Sequence, residues 1–207
     1  MADEFDVIVV GGGPAGENIA GRCSEGGLST AVVERELVGG ECSYWACIPS
    51  KSLLRPGDAL AEILRVPGAR EAVTGDLDVS AALARRDSMI NNFDDKYQVQ
   101  WLNDTNIELV RGHGRISSPR TVQVESESGD VRTLSALKAV VIATGSSAAV
   151  PPIDGLRDVK PWDSRDITTA KQVPRRLLVI GGGVVAVEMA QAWRRLGAEE
   201  VTIIERG

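Results

Sequence analysis

The sequence predicts an α/β fold, and three observations support this. Residues 5–11 (FDVIVVG) are a continuous apolar, β-branched run, which is typical of a strand buried on both faces of a parallel sheet. Glycines end this run, and a helix-compatible segment follows from Pro14 to about Gly26. The same order of strand, glycines, helix and strand returns near the C-terminus in RRLLVIGGGVVAVEMAQAWRRLGAEEVTIIERG. The chain therefore contains two β-α-β units, each built around a glycine turn.

Composition and charge favour a partner that is a small molecule. The chain has 207 residues, of which 43% are hydrophobic, and a formal net charge of −6. This charge gives no electrostatic reason to expect nucleic acid or an anionic membrane as partner. The acidic start of the chain lacks the basic segment of a signal peptide, and three cysteines in a chain of this size argue against a disulfide scaffold. We therefore expect a cytoplasmic protein.

The remaining elements follow in order along the chain. Strand and helix patterns predict a strand at 29–34, helices at 50–64 and 79–102, and a buried strand at 139–145. Before that last strand, the alternating runs IELVRGHGRI, TVQVES and VRTLSA are separated by turn residues and predict a small antiparallel β-meander. Residues 146–174 are rich in Pro, Asp and Ser, which indicates a connector that contains the domain boundary.

The first glycine turn has the pattern of a nucleotide-binding site. Gly11, Gly13 and Gly16 have the spacing G-x-G-x-x-G between a strand and a helix. This spacing allows a tight turn, a close approach of the backbone to a pyrophosphate, and close packing of helix on strand. Glu34 ends the second strand 23 positions after Gly11 (34 minus 11), where a carboxylate can bind a ribose. The alternative is a glycine-rich turn without a ligand.

The second glycine turn repeats this pattern with one change. Gly181 and Gly183 are followed by Ala186, a small residue that helix packing still accepts. Glu205 ends the next strand 24 positions after Gly181 (205 minus 181). A carboxylate there favours the free ribose hydroxyls of NAD over the extra phosphate of NADP, although the neighbouring Arg206 weakens this inference. A purely structural turn is the alternative.

The stretch GGECSYWACIPSK contains Cys42 and Cys47, with four residues between them. Zinc usually takes four ligands, and the only histidine, His113, is far away in sequence, so we predict no metal site. From the residues alone, the pair is either two inert buried thiols or a redox pair. Cys23 lies on the apolar face of the first predicted helix and is expected to be core.

Four ordered motifs resemble those of a known family. The cysteine stretch resembles the active-site signature GG-x-C-x4-C-[IV]-P-x-K of the class I pyridine nucleotide-disulfide oxidoreductases, which include dihydrolipoamide dehydrogenase, mercuric reductase and glutathione reductase. The segment ATGSSAAVP is similar to the second FAD contact of that family at Thr144 and Gly145. With the two glycine turns, the resemblance covers essentially the whole chain.

The resemblance implies a Rossmann-like FAD-binding domain with an antiparallel β-meander at residues 1–149. The start of a second Rossmann-like, NAD(P)-binding domain follows at 150–207. The family's later FAD segment and its dimer-interface domain have no counterpart in the sequence, so we expect the N-terminal part of a longer enzyme. The isolated chain is then expected to be inactive and the complete enzyme to be a homodimer.

The family's chemistry implies roles for individual residues. Electrons would pass from NAD(P)H to FAD, from FAD to a Cys42–Cys47 disulfide, and from the dithiol to a substrate. Cys42 would be the interchange thiol, Cys47 the thiol beside the flavin, and Lys51 would pair with Glu188 near the flavin N5. A helix starting near Ser50 would place positive dipole at Cys47. The predicted cofactor-binding residues are Gly11, Gly13, Pro14, Ala15, Gly16, Glu34, Arg35, Gly40, Glu41, Cys42, Lys51, Gly114, Ala143, Thr144 and Gly145 for the first turn and dithiol, and Gly181, Gly183, Val184, Val185, Glu188 and Glu205 for the second turn.

The sequence departs from the family between the two cysteines, where Ser43, Tyr44, Trp45 and Ala46 replace small or apolar residues. We hypothesise that Tyr44 and Trp45 narrow or reshape access to the dithiol; packing against the fold is the alternative. His113 has no matching glutamate and is expected to be structural. The expected substrate is a small-molecule disulfide or similar electron acceptor. The rival functions are a noncatalytic nucleotide-binding fragment and a flavin oxidoreductase that does not use the dithiol.

Overall fold

The computed structural model describes residues 3–206. Its helices and strands, in chain order, are β1 (Asp3–Val10), α1 (Pro14–Glu25), β2 (Thr30–Glu34), α2 (Gly40–Tyr44), α3 (Cys47–Leu64), α4 (Val79–Met89), α5 (Lys96–Asp104), β3 (Ile107–Arg111), β4 (His113–Ser118), β5 (Thr121–Glu125), β6 (Val131–Ile142), α6 (Ser164–Thr169), β7 (Arg176–Ile180), α7 (Val184–Arg195) and β8 (Glu200–Ile204). They form two compact units. The first unit runs to Cys42 and resumes over Phe93–Ser147, and the second comprises Ser43–Asn92 and continues from Ala148. The predicted α/β class is confirmed.

The first unit is built on one six-stranded sheet with the order β3-β2-β1-β6-β5-β4. The four strands β3, β2, β1 and β6 are parallel, whereas β6, β5 and β4 form an antiparallel meander. Strand β1 lies near the middle of the sheet, and its residues from Val7 to Val10 are buried. This burial on both faces is the physical reason why the stretch from Val7 to Val10 is continuously apolar.

The two faces of this sheet bury alternate residues of the strands, as the period of two requires. Along β1, Ile8 and Val10 belong to one buried cluster, and Val7 and Val9 belong to the other. The second cluster also contains Ala20 of α1 together with residues of α5 and β3. Helices α1 and α5 therefore contribute to the core on that face.

Two predictions about the strands were wrong. The run IELVR was assigned to the antiparallel meander, but β3 pairs in parallel with β2. The runs VRTLSA and AVVI were predicted as separate strands, but both belong to β6, which has 12 residues. One end of β6 pairs with β5, and the strand continues beside β1. Alternation within a run predicts an extended segment but carries no information about its partner.

The second unit contains the parallel pair β7 and β8, with α7 between them in the chain. The buried side of α7 includes Met189 and Trp193, which belong to the same hydrophobic cluster as Leu53 of α3. The indole Nε1 of Trp193 also donates a hydrogen bond of 3.1 Å to the backbone oxygen of Ile167 in α6. Apolar packing and this bond hold α3, α6 and α7 together within the unit.

Helix α3 continues through a proline. Pro56 has no N–H, so the carbonyl of Ser52, four residues earlier, loses its usual helical partner. The Nη1 of Arg85 in α4 donates to that carbonyl at 3.4 Å. The freed oxygen is thus partly compensated from a neighbouring helix, and α3 runs for 18 residues.

Helix boundaries also differ from the sequence prediction. The single helix expected at 79–102 is two helices, α4 and α5, because Asn91, Asn92 and Phe93 have positive φ angles of 49°, 52° and 61°. Asparagine tolerates this left-handed conformation better than most residues, and a run of three ends a right-handed helix. The expected connector at 146–174 contains the short helix α6. Among the described residues, no helix is long and apolar enough to cross a membrane.

Candidate functional site

The first glycine turn requires glycine for steric reasons. Gly11 has a φ angle of +105°, and a Cβ atom there would lie 2.3 Å from the backbone oxygen of Ala143. A Cβ atom on Gly16 would lie 1.9 Å from the backbone oxygen of Gly11. Both distances are far below van der Waals contact, so the end of β1 can approach α1 and β6 this closely only without side chains.

The N-terminus of α1 offers an open backbone surface. Gly13 is the N-cap residue and Pro14 follows in the first turn, where its missing N–H is not needed. Among the residues that the structure describes, the nearest atom to a Cβ added on Gly13, beyond its own chain neighbours, would be the Cα of Gly40, at 3.9 Å. Pro14 and Ala15 are exposed. This cradle fits the pyrophosphate of a dinucleotide, because the N–H groups of a first helical turn bind anions.

One charged group lies in the same helical turn. The backbone N–H of Glu17 donates to the oxygen of Gly13 at 2.9 Å, so its side chain starts one turn after the cradle. Burial raises the pKa of the Glu17 carboxyl. The first turn of α1 therefore carries an acid whose charged form is disfavoured by burial.

Glu34 is held against the glycine turn by both of its oxygens. Its Oε2 accepts a hydrogen bond of 2.7 Å from the N–H of Gly12, and its Oε1 accepts one of 2.7 Å from the N–H of Glu36. The N–H of Gly39 donates to the oxygen of Gly12 at 2.7 Å and brings the following loop to the same turn. The carboxylate at the end of β2 is therefore fixed beside the turn.

A cavity of about 160 Å³ lies at this end of the sheet. Its wall includes several of the residues that the sequence analysis selected, namely Gly11, Glu34, Arg35, Gly114 and Thr144. Ala143 precedes Thr144, and its N–H donates to the oxygen of Val10 at 2.8 Å. Gly145 follows with a φ angle of +67°. Residues far apart in sequence thus meet at the carboxyl ends of β1 and β2, where dinucleotides bind in this kind of sheet.

His113 lines the same cavity. Only a structural role was predicted for His113 from the sequence, because it lacks a matching glutamate. The glycines on both sides are the signal that could have placed it here. A Cβ atom on Gly112 would lie 2.5 Å from the backbone oxygen of Glu125, and one on Gly114 would lie 2.9 Å from Val33. The chain beside His113 is therefore tightly packed.

Cys42 and Cys47 are joined by a disulfide bond, and Cys23 is a free cysteine. Cys42 lies in α2, together with Gly40 and Glu41. Cys47 is the first residue of α3 and is exposed. The helix therefore starts three residues earlier than the predicted Ser50. This position places the sulfur directly at the positive end of the helix dipole, which favours a thiolate after reduction.

Lys51 and Glu188 form an ion pair. Lys51 lies one helical turn after Cys47, and its Nζ is 2.7 Å from the Oε2 of Glu188 on α7. The Lys51 side chain is 62% exposed and that of Glu188 is 32% exposed. Ion pairs this exposed add little to the stability of the fold. The contact nevertheless joins the two residues that the family resemblance pairs, which are 137 positions apart in the chain.

The second glycine turn has the same construction as the first. Gly181 has a φ angle of +103°, and Gly183 is the N-cap of α7, where an added Cβ atom would have no atom of residues 3–206 within 4 Å beyond its own chain neighbours and helix backbone. The Oε2 of Glu205 accepts a hydrogen bond from the N–H of Gly182, and its Oε1 accepts one of 2.7 Å from Arg206. Val184 and Val185 are exposed in the first turn of α7. This open turn also fits a nucleotide.

The two aromatic residues between the cysteines have different environments. Tyr44 is only 1% exposed, whereas Trp45 is partly exposed. Their rings meet edge-on with centroids 5.7 Å apart. The guanidinium carbon of Arg165 lies 4.0 Å from the centroid of the Trp45 ring, and the hydroxyl of Thr168 donates to the Trp45 oxygen at 2.6 Å. Sequence reasoning missed these two residues, since they lie about 120 positions away and match no motif.

Comparison with known proteins identifies related chains. The profile of the family described as pyridine nucleotide-disulphide oxidoreductase matches residues 5–207. The chain is 32% identical over 205 residues to a mercuric reductase of Staphylococcus aureus, and the alignment covers 98% of this chain and 36% of that protein. It is 33% identical over 211 residues to a dihydrolipoyl dehydrogenase of Acholeplasma laidlawii, and that alignment covers 99% of this chain and 60% of that protein.

Solved structures agree with these sequence matches. The Cu(II) complex of the HOCl-induced flavoprotein disulfide reductase RclA from Escherichia coli superposes with a TM-score of 0.82 at 25% identity. The superposition covers 98% of this chain and 42% of that one. The chain thus spans between 36% and 60% of the length of the relatives described here.

Proposed function

Because this chain belongs to the pyridine nucleotide-disulphide oxidoreductase family, we propose that it acts in an FAD-dependent NAD(P)H:disulfide oxidoreductase of the dihydrolipoamide dehydrogenase type. The observation that carries the proposal is the Cys42–Cys47 disulfide at the start of α3, one turn before the Lys51–Glu188 ion pair. A disulfide in this setting is suited to cycles of reduction and reoxidation, since the helix start stabilises the thiolate form.

Each motif then has a role. Bound FAD would supply a route for an electron pair from the nicotinamide nucleotide to the disulfide. The first glycine turn, Glu34 and the Thr144 region would hold FAD, and the second glycine turn and Glu205 would hold the nicotinamide nucleotide. Cys47 would be the thiol on the flavin side, and Cys42 would exchange with the substrate. Lys51 would supply a positive charge to bound FAD, and Glu188 would orient Lys51.

The domain assignment, the substrate class and the assembly of the complete enzyme are further parts of the proposal. We propose that residues 1–149 serve FAD and that residues 150–207 serve the nicotinamide nucleotide. The substrate is a small-molecule disulfide or a similar acceptor, and the complete enzyme is a cytoplasmic homodimer. The relatives named mercuric reductase and dihydrolipoyl dehydrogenase support the redox chemistry of this assignment.

The direct test is a visible spectrum of the purified chain with FAD before and after anaerobic addition of one electron pair. We expect retained flavin and a long-wavelength absorbance from a thiolate beside it. Cys47→Ser is expected to abolish this absorbance, because it removes the thiolate. Cys23→Ser, the matched control, is expected to leave it unchanged. Failure to retain flavin, or an absorbance that survives Cys47→Ser, would contradict the proposal.

A second prediction concerns the nucleotide. We expect the chain to bind NADH about ten-fold more tightly than NADPH, or ~1.4 kcal/mol, because the Glu205 carboxylate repels a 2′-phosphate. Glu205→Ser is expected to remove most of this preference. Fluorescence titration with both nucleotides measures the two dissociation constants. A preference of the unsubstituted chain for NADPH would overturn the NAD assignment.

A further inference from the structure

Of the two aromatic residues between the cysteines, Trp45 is the one that can meet a substrate. Tyr44 is buried and can act only by supporting its neighbours. Trp45 is partly exposed, lies two positions before Cys47, and is inside the loop that the disulfide closes. The hypothesis that both aromatic residues shape access to the dithiol is therefore narrowed to Trp45. Tyr44 packs against the fold.

Three contacts fix the position of Trp45. The Tyr44 ring meets it edge-on, at 62° between the ring planes. The Arg165 guanidinium lies over the ring at 4.0 Å, within the range of a cation–π interaction. The hydroxyl of Thr168 holds the Trp45 backbone oxygen at 2.6 Å. Both the backbone and the ring are therefore restrained, and the side chain cannot swing away without losing these contacts.

The helix that supplies two of these contacts is itself anchored. Asp163 caps α6 by accepting hydrogen bonds from the N–H groups of Arg165 and Asp166. At the other end, the buried Arg86 of α4 donates to the oxygen of Thr168 at 2.6 Å. Trp193 of α7 donates to the oxygen of Ile167. Helix α6 is thus a fixed platform inside the second unit, although it has only six residues.

We propose that Trp45 is a specificity-determining residue, held in place by Arg165 and Thr168 as positioning residues, and that it selects disulfides with slender, unbranched substituents. The inference rests on the proposed function, since it assumes that the dithiol exchanges with a disulfide substrate. A restrained ring inside the disulfide loop excludes bulk near the reacting sulfurs more strongly than a freely moving ring would. Sterically fixed walls discriminate by size because closely packed groups do not deform freely.

The exchange itself balances with the groups named. A cysteine thiolate attacks one sulfur of the substrate disulfide, forms a mixed disulfide and releases one substrate thiolate. The second cysteine thiolate then attacks the mixed disulfide, reforms the Cys42–Cys47 bond and releases the other substrate thiolate. The two electrons come from the dithiol, which the nicotinamide nucleotide reduces again in the proposed cycle. The two substrate thiolates take up the two protons that the cysteines lost.

A stoichiometric exchange assay tests the inference without flavin. The Cys23→Ser chain is reduced, freed of reductant and mixed with either bis(2-hydroxyethyl) disulfide or the disulfide of N-acetylcysteinamide. Both probes are uncharged, and they differ in branching at the second carbon from the reacting sulfur. Each rate constant is divided by the rate constant of free dithiothreitol with the same probe. We expect a preference of roughly ten-fold for the slender probe. Trp45→Ala should reduce this preference for the slender probe to about the preference shown by the free reference thiol.

Further variants separate positioning from stability. Arg165→Ala is expected to lose part of the preference, and Arg165→Lys, which keeps a cation over the ring, is expected to retain it. Trp162→Ala is the matched control, since Trp162 is an exposed tryptophan of the same unit. Thermal melts exclude variants that do not fold. Exchange with an unchanged preference in Trp45→Ala would overturn this inference alone, whereas no exchange with either probe would also overturn the proposed function.

Discussion

Gly16→Ala is expected to destabilise the first unit by about 3 kcal/mol or more, although alanine is the better helix former. The added methyl group would lie 1.9 Å from the backbone oxygen of Gly11, and neither backbone segment can retreat. The helix-propensity gain of about 1 kcal/mol is smaller than this clash. Thermal unfolding followed by circular dichroism measures the effect, and loss of flavin retention should accompany it.

Gly13→Ala provides the matched control in the same turn. Its methyl group would meet only the Cα of Gly40, at an ordinary contact distance of 3.9 Å. We expect a loss of stability of about 1 kcal/mol at most, from a poorer N-cap residue. FAD affinity should nevertheless fall, because the methyl group occupies the open side of the cradle. Equal melting temperatures of the Gly16→Ala variant and the unsubstituted chain would show that the strand and helix are not packed as described.

Arg86→Met is expected to lower the free energy of unfolding of the second unit by about 3 kcal/mol. Arg86 is fully buried, and its guanidinium donates to the carbonyl oxygens of Thr168 and Ala170 and to the carboxylate of Asp87. Methionine fills a similar volume but leaves these acceptors without that donor. Urea denaturation followed by circular dichroism measures the loss.

The pH dependence gives this prediction a second readout. Burial acts to raise the pKa of Asp87, but hydrogen bonds and charge from Lys171 and Arg86 outweigh it and hold the pKa below its usual value. A lowered pKa stabilises the fold above the pKa of the unfolded chain, and the contribution is lost as the pH falls through the folded value. Below about pH 4, the unsubstituted chain should therefore lose stability more steeply than Arg86→Met.

Arg85→Met is the matched control for Arg86→Met. Arg85 is exposed and makes one long hydrogen bond of 3.4 Å to Ser52. Its replacement should change stability by about 0.5 kcal/mol or less. If Arg85→Met and Arg86→Met were equally stable, the buried guanidinium would not be the anchor of α6. The platform described for Trp45 would then lose one of its supports.

Local chemistry made much of the fold predictable. The glycine turns could be located because Gly11 and Gly181 need positive φ angles and Gly16 needs the absence of a Cβ atom. These are properties of single residues, so they are visible without a structure. The apolar stretch from Val7 to Val10 of β1 was equally informative, because its burial on both faces excludes polar residues there.

Pairing between distant segments was less predictable. The parallel placement of β3 beside β2 depends on which neighbour completes the sheet, and the run IELVR fits either arrangement. The helix break at residues 91–93 depends on three positive φ angles. Sequence periodicity on both sides of the break is helical, so tertiary packing decided where the chain turned.

The sequence by itself determined the strand–turn–helix units, the acids that end their second strands, and the position of the two cysteines, because each depends on residues close together in the chain. Only the tertiary structure decided that Lys51 contacts Glu188 and that Arg165 lies over Trp45. These contacts join residues more than 100 positions apart, and they arise from the packing of α3, α6 and α7. Close packing depends on the shapes of many side chains from distant segments at the same time, so no local sequence pattern specifies these contacts.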